Sequence, residues 1–364
     1  MNRREFVRST SLTVAGLTLT TTDLSFAQQH PASDGWRTFE VTTRAEVLKA
    51  AGTTTVWLPA ALIQNAPFQK TTSNRFNADG GTARMVESNN PADLGIVVAT
   101  FPSDVKPVLT LSSEVALKNY SVDLSKPGPA RPLAAADMKY YLQPHKNIPT
   151  DGIVKTTATE ITTGATTDVE KARAISEWIV DNTFRDPKVR GCGRGDIRVM
   201  LDTGYLGGKC ADLNALYVGL ARAAGLPARD VYGIRVAKSE MGYKSLGASS
   251  EKVTKAQHCR AEVYLAQFGW VPVDPADVRK VALEEPPGNR PLSDEMVASA
   301  RKRLFGSWEM NWMAYNFAQD VELPGSNGTT LPFLMYPQAQ TAEGTLDSLD
   351  PDNFKYEITA KELS

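Results

Sequence analysis

Cys210 opens a stretch of sequence built for thiol chemistry. In Gly207-Gly208-Lys209-Cys210-Ala211-Asp212-Leu213, paired glycines hand a cysteine to the first turn of a helix. There the unpaired backbone N–H groups and the positive end of the helix dipole favour thiolate over thiol, and the thiolate is the attacking form. The same N–H groups can steady an oxyanion. A thiol nucleophile needs a base, and the chain offers three histidines. His30 falls in QQHPASDG near the expected start of the mature chain, and His145 in the proline-flanked YLQPHKNIP, both poor settings for a positioned base. His258 is left, with Asp274 as the carboxylate that could hold one imidazole nitrogen while the other faces Cys210.

Local patterns indicate the elements that position these groups. After Cys210 the apolar residues Leu213, Leu216, Tyr217, Leu220 and Ala224 recur at helical spacing, and Gly225 with Pro227 supplies a stop. His258 begins a run in which Cys259, Ala261, Val263 and Leu265 alternate with His258, Arg260, Glu262 and Tyr264, the pattern of a strand with one buried face. His258 sits on the more polar face. Trp270 to Val273 resumes an extended pattern after Gly269 and ends at Pro275, so the two runs predict a β-hairpin. A turn centred near Ala266 would set His258 directly opposite Asp274, with both side chains on one face. Another helix is signalled by Thr167 and Glu170 in capping-box spacing, followed by Ala172, Ile175, Trp178 and Ile179 up to Asn182, and it should pack near the Cys210 helix.

The blocks GGKCADLNALYVGLARAAGLPAR, HCRAEVYL and GWVPVDPADV resemble, in this order, the three motif blocks of the transglutaminase-like superfamily. The resemblance covers about residues 130 to 285. It implies an α+β, papain-like core in which the helix bearing the nucleophile packs on an antiparallel sheet, with Cys210 as nucleophile, His258 as base and Asp274 as its holder. Many members carry tryptophan two residues after the histidine, and Arg260 stands there in this chain. Arg260 and Arg194, the latter in the glycine-rich loop GCGRGD, are therefore candidates for a substrate rim.

Length and composition frame this core. With 364 residues, 42% of them hydrophobic, the chain can bury a substantial core and make two domains. A formal net charge of −1 offers no electrostatic case for nucleic acid or an anionic membrane. Residues 1–27 read as a twin-arginine signal peptide: Arg3-Arg4 precede a mildly apolar stretch and small residues near Ala27, so a periplasmic or secreted product is expected. The alternative is an ordinary basic signal for the general export route. No other segment approaches the ~20 apolar residues of a membrane span. Residues 36–124, rich in Val and Thr and punctuated by turns, predict a β-sandwich-like domain. Residues 125–132 read as a linker, 133–290 as the catalytic core, and 291–364 as an extension packing on the core with one or two strands.

Export bears on the other thiols. In an oxidising compartment a Cys192–Cys259 disulfide is the favoured reading; the alternatives are two unbonded cysteines or a redox latch between Cys192 and Cys210. Cysteine spacings do not match structural zinc, and GGK lacks phosphate-loop spacing, so neither metal nor cofactor is expected. Asp212, in the first helical turn, reads as a dipole complement or a partner of Arg229. The expected chemistry is amide or peptide cleavage through a Cys210 thioester on a protein, peptide or peptidoglycan-peptide substrate. Acyl transfer from glutamine to amines, and a catalytically idle peptide- or cell-wall-binding protein, are the alternatives.

Overall fold

The computed structural model describes residues 35–88, 91–328 and 330–363. The expected signal peptide and His30 lie outside these residues. Two antiparallel sheets form the N-terminal β-sandwich. One is ordered Phe354–Leu363, Arg37–Val47, Val108–Leu117, Gln69–Ala78; the other runs Gly344–Thr345, Gln338–Thr341, Thr54–Pro59, Leu94–Phe101, Thr82–Ser88. Alternation in Arg37–Val47 turns Phe39, Val41, Ala45 and Val47 inward, as a period of two requires.

The tail beyond residue 290 does more than pack on the core. Its last strand pairs along the full length of Arg37–Val47, from Thr38 opposite Leu363 to Val47 opposite Phe354, and Gln338–Thr341 pairs with Thr54–Pro59. A third stretch, Trp312–Asn316, becomes an edge strand of the central sheet. The C-terminus therefore ties sandwich and core together. Ile358 and Ala360 share one apolar cluster with Phe39, Val115 and the Cys210 helix.

The core is α+β, as expected. Its antiparallel sheet is ordered Gly269–Val273, Gln257–Leu265, Ala228–Arg235, Trp312–Asn316, and the helix Cys210–Ala223 packs across it. All 14 residues of that helix are buried, polar Asp212, Asn214 and Arg222 included. Gly219 allows the close fit, since a Cβ there would lie 2.1 Å from Ile197 Cδ1. Gly225, at φ +88°, follows the helix and lets the chain turn back into the sheet. The helix Asp168–Asn182 starts with the predicted capping box, Glu170 N–H donating to Thr167 Oγ1 at 3.2 Å, and packs beside the Cys210 helix. No helix among the described residues is long and apolar enough to cross a membrane.

Candidate active site

Cys210 is the first residue of its helix and is 4% exposed. Asp212 fixes the approach to it: one carboxylate oxygen accepts from Lys209 N–H and the other from Arg194 N–H and Gly195 N–H, all at 2.9 Å. The loop preceding the helix is thereby strapped to the first turn. Gly193, at φ +98°, has to be glycine in this strap, because a Cβ would sit 1.9 Å from Asp212 Oδ2. Arg229, the other partner considered for Asp212, instead pairs with Glu262 at 2.6 Å.

The hairpin forms as Gln257–Leu265 and Gly269–Val273, with a register shifted by one step. Leu265 pairs with Gly269 and Ala261 with Val273, so the turn centres on Gln267. Asp274 therefore follows on opposite Arg260, and it meets His258 along a diagonal. The shift preserves parity, so both side chains keep the same face. His258 Nε2 lies 2.7 Å from Asp274 Oδ2. Asp274 also caps the helix Pro275–Glu284, its Oδ1 accepting from Asp277 N–H and from Asn214 Nδ2, both at 3.1 Å. Asn214 Nδ2 donates as well to the Cys259 carbonyl at 2.8 Å.

Both faces of the His258 strand are buried, in contrast to the one-sided pattern read from its alternation. Its charged face is covered because the charges are compensated. Arg229 neutralises Glu262, and the tail supplies aromatic cover for Arg260. Arg260 is 3% exposed, stacked over Trp312 at 4.7 Å, bonded to the Glu309 carbonyl at 3.0 Å and set 3.9 Å from Asp274. It is no rim residue. Arg194 does not line the cavity either; its side chain is exposed while its backbone joins the Asp212 strap. His145 pairs with Asp320 at 3.1 Å, away from the cavity.

All three cysteines are free, so the expected Cys192–Cys259 disulfide is not formed. Cys259 donates toward Cys210 across 3.8 Å, and the Cys192 thiol lies within reach of both the Gln257 carbonyl, at 3.4 Å, and the Cys210 sulfur. Hydrogen bonds from Cys192 and Cys259, followed by the bond and charge of His258, hold Cys210 well below the ordinary thiol range despite its burial. Burial and Arg235 push His258 down, but Asp277 and Asp274 carry it up to about 9. Burial likewise pushes Cys259 well up. These shifts favour the thiolate at Cys210 and the imidazolium at His258, with the Cys192 and Cys259 thiols as donors to the Cys210 sulfur.

Asp277 completes this electrostatic set. It lies 3.4 Å from His258 Nε2, while Arg235 bonds both of its oxygens at 2.6 and 2.8 Å. Arg235 and His258 hold its carboxyl well below the usual range against the cost of burial. Potential ligand atoms of His258, Asp274 and Asp277 lie within 4.8 Å of one another, and both Asp277 oxygens already accept from Arg235. Asn214 and Asp277 were not predicted as site residues, although signals for both exist. Asn214 falls one helical turn after Cys210 on the same face, and Asp277 stands at the third helical position after a capping aspartate.

Cys210 and His258 open onto a cavity of about 620 Å³. Its walls include residues 247–249 and 252–257 and, from the C-terminal tail, Tyr336, Leu349, Phe354 and Tyr356.

Residues 155–275 match the core model of the transglutaminase-like superfamily. An uncharacterized protein of Haemophilus influenzae is 36% identical over 337 residues, covering 86% of this chain and 87% of that protein. The fold resembles that of a proposed cysteine protease from Cytophaga hutchinsonii, with a TM-score of 0.51 and 14% identity over 90% of this chain and 98% of the other.

Proposed function

The chain belongs to the transglutaminase-like superfamily, and from that premise we propose that it is a thiol enzyme acting on amide or peptide bonds, with Cys210 as nucleophile, His258 as acid and base, and Asp274 orienting His258. The observation that carries the reading is the buried 2.7 Å bond between His258 Nε2 and Asp274 Oδ2, made by an imidazole whose charge also lowers the Cys210 pKa. A thiolate–imidazolium pair beside a cavity is a nucleophile already activated.

The Cys210 sulfur bonds to the carbonyl carbon, and the carbonyl oxygen takes the negative charge. The Ala211 N–H donates to the Cys192 carbonyl at 2.9 Å, so we assign oxyanion stabilisation to the Cys210 N–H. Collapse breaks the C–N bond as His258 gives its proton to the departing amine. Water then attacks the thioester and passes a proton to His258, the C–S bond breaks, and the acid leaves with Cys210 again a thiolate. The proposal includes export by the twin-arginine route, supported by Arg3-Arg4 and the apolar stretch after them.

Iodoacetamide labelling at neutral and mildly acidic pH, with the adduct located by mass spectrometry, tests the assignment. Preferential alkylation of Cys210 that slows in His258→Asn is expected. A Cys210 no more reactive than a free cysteine would sink it. Incubation with a glutamine-containing protein and a tagged amine then separates cleavage, expected here, from amine incorporation, and Cys210→Ala should abolish either.

A further inference from the structure

We infer that the acyl donor taken by this site is anionic: a peptide carrying carboxylates beside the amide that Cys210 attacks. The inference rests on the thiol-enzyme reading above and adds the substrate class. Besides Arg235, the cavity is lined by Arg185, Arg190, Lys209, Lys252, Lys255 and Lys280 and, among the described residues, by no aspartate or glutamate. Over the whole chain 40 basic residues face 41 acidic ones, so this wall departs sharply from the average. Concave walls of one sign focus the field into the space they enclose.

Some of these cations are already paired. Arg185 bonds Glu284, which also lies 3.7 Å from Lys280; Arg190 meets Asp347 at 2.5 Å, and Lys252 bonds Glu357. Lys209 and Lys255 form no ion pair among the described residues. Lys209 directly precedes Cys210 and lines the cavity; its charge acts on Asp186 through space but is held in no ion pair, which leaves it free to meet an anion in the cavity. Gln257 adds a neutral donor. It lines the cavity, and its Nε2 is buried with no hydrogen-bond partner among the described residues, a donor from which a carbonyl or carboxylate oxygen would accept. The same field repels an ammonium group, which favours water over a lysine-type amine as the partner of the thioester.

Two alkylating reagents that differ in charge test this without a known substrate. Cys210 of the full chain is alkylated with iodoacetate and with iodoacetamide, and the ratio of the two rates is compared with that of a neutral model thiol. Both reagents need the same thiolate, so the ratio cancels its reactivity and reports the field alone. At low salt the ratio for Cys210 should exceed the model's by about tenfold and fall toward it as salt screens the wall. A Lys209→Gln/Lys255→Gln double variant should lose most of the excess, and Lys209→Arg/Lys255→Arg should keep it. A pair of peptides differing only in Glu against Gln beside the scissile amide should rank the same way in kcat/KM. Fast iodoacetamide labelling with a ratio equal to or below the model's would overturn the anionic donor and leave the thiol-enzyme reading standing. Slow labelling of Cys210 by both reagents would instead remove the thiol-enzyme reading, and this inference with it.

Discussion

Replacing Asp274 with asparagine isolates one charge while keeping the fold's local requirements. Asparagine caps helices as well as aspartate does, so the start of Pro275–Glu284 is retained. Two donors, Asn214 Nδ2 and Asp277 N–H, converge on Oδ1, so the amide oxygen takes that position and the NH₂ is left facing His258. An NH₂ there requires His258 Nε2 to accept, which selects the neutral imidazole with its proton on the nitrogen toward Cys210. Two unit charges about 4 Å apart at an effective dielectric of about 20 interact by about 4 kcal/mol, or about three pKa units. Asp277 stays at 3.4 Å from His258 and Arg235 stays beside it, so about half of that shift is expected. His258 should then titrate one to two units, to within about a unit, below its wild-type value of about 9. The chain has three histidines, so ring-labelled NMR can follow each one. Acylation by an amide substrate should slow by about 10²- to 10⁴-fold, as expected when the orienting carboxylate is lost. An unchanged His258 titration in the variant would refute the electrostatic reasoning, whatever happened to the rate.

The same shift makes stability depend on pH. A folded-state pKa raised from about 6.5 to about 9 contributes stability that is fully present below the lower value and lost as pH rises through the upper one, so the Tm advantage of wild type over Asp274→Asn should be greatest in mild acid and shrink through pH 9. Asn214→Ala should cost about 1–3 kcal/mol in urea unfolding, because it leaves the Cys259 carbonyl and Asp274 Oδ1 each short of a donor in a buried site. Gly193→Ala should cost about 2–4 kcal/mol by the same measurement, through strain at φ +98° and collision with Asp212, and a smaller loss would mean that the strap can move aside. Arg260→Met should lower stability by about 1–3 kcal/mol through lost packing on Trp308 and Trp312, with a smaller change in the iodoacetate-to-iodoacetamide ratio than the Lys209→Gln/Lys255→Gln variant, since Arg260 does not line the cavity.

What could be read ahead of the fold was local in sequence. The Cys210 helix, its glycine stop, the capping box at Thr167 and the two hairpin strands follow from periodicities of 3.6 and two and from turn chemistry over a few residues. The hairpin register was misread by one step because Ala266 and Gln267 are equally acceptable turn centres by composition. The site residues survived that error because an opposed pair and a diagonal pair lie on the same face. Arg260 was misplaced for a different reason. Alternation assigns a charged residue to the solvent side by default, and the residues that cover this one, Trp308 and Trp312, come from two separate strands about fifty positions downstream.

The three thiols carry that distinction furthest. Residues 192, 210 and 259 share no short spacing, so the sequence leaves the pairing open, and an oxidising compartment makes a Cys192–Cys259 bond the natural expectation when Cys210 is kept for chemistry. In the fold the helix start, the glycine loop and the central strand converge, and the three sulfurs are left unbonded around the one that ionises. A hydrogen-bonded thiol stabilises a neighbouring thiolate, whereas a Cys192–Cys259 disulfide would remove both donors. The free state is therefore the one that keeps Cys210 acidic. The cationic cavity wall has the same origin, being assembled from separate segments between Arg185 and Lys280 beneath a tail that returns from beyond residue 330. Chemistry at Cys210 was legible because a helix start concentrates it in a few residues; selectivity was not, because it is built from charges that only tertiary structure brings to one side of a cavity.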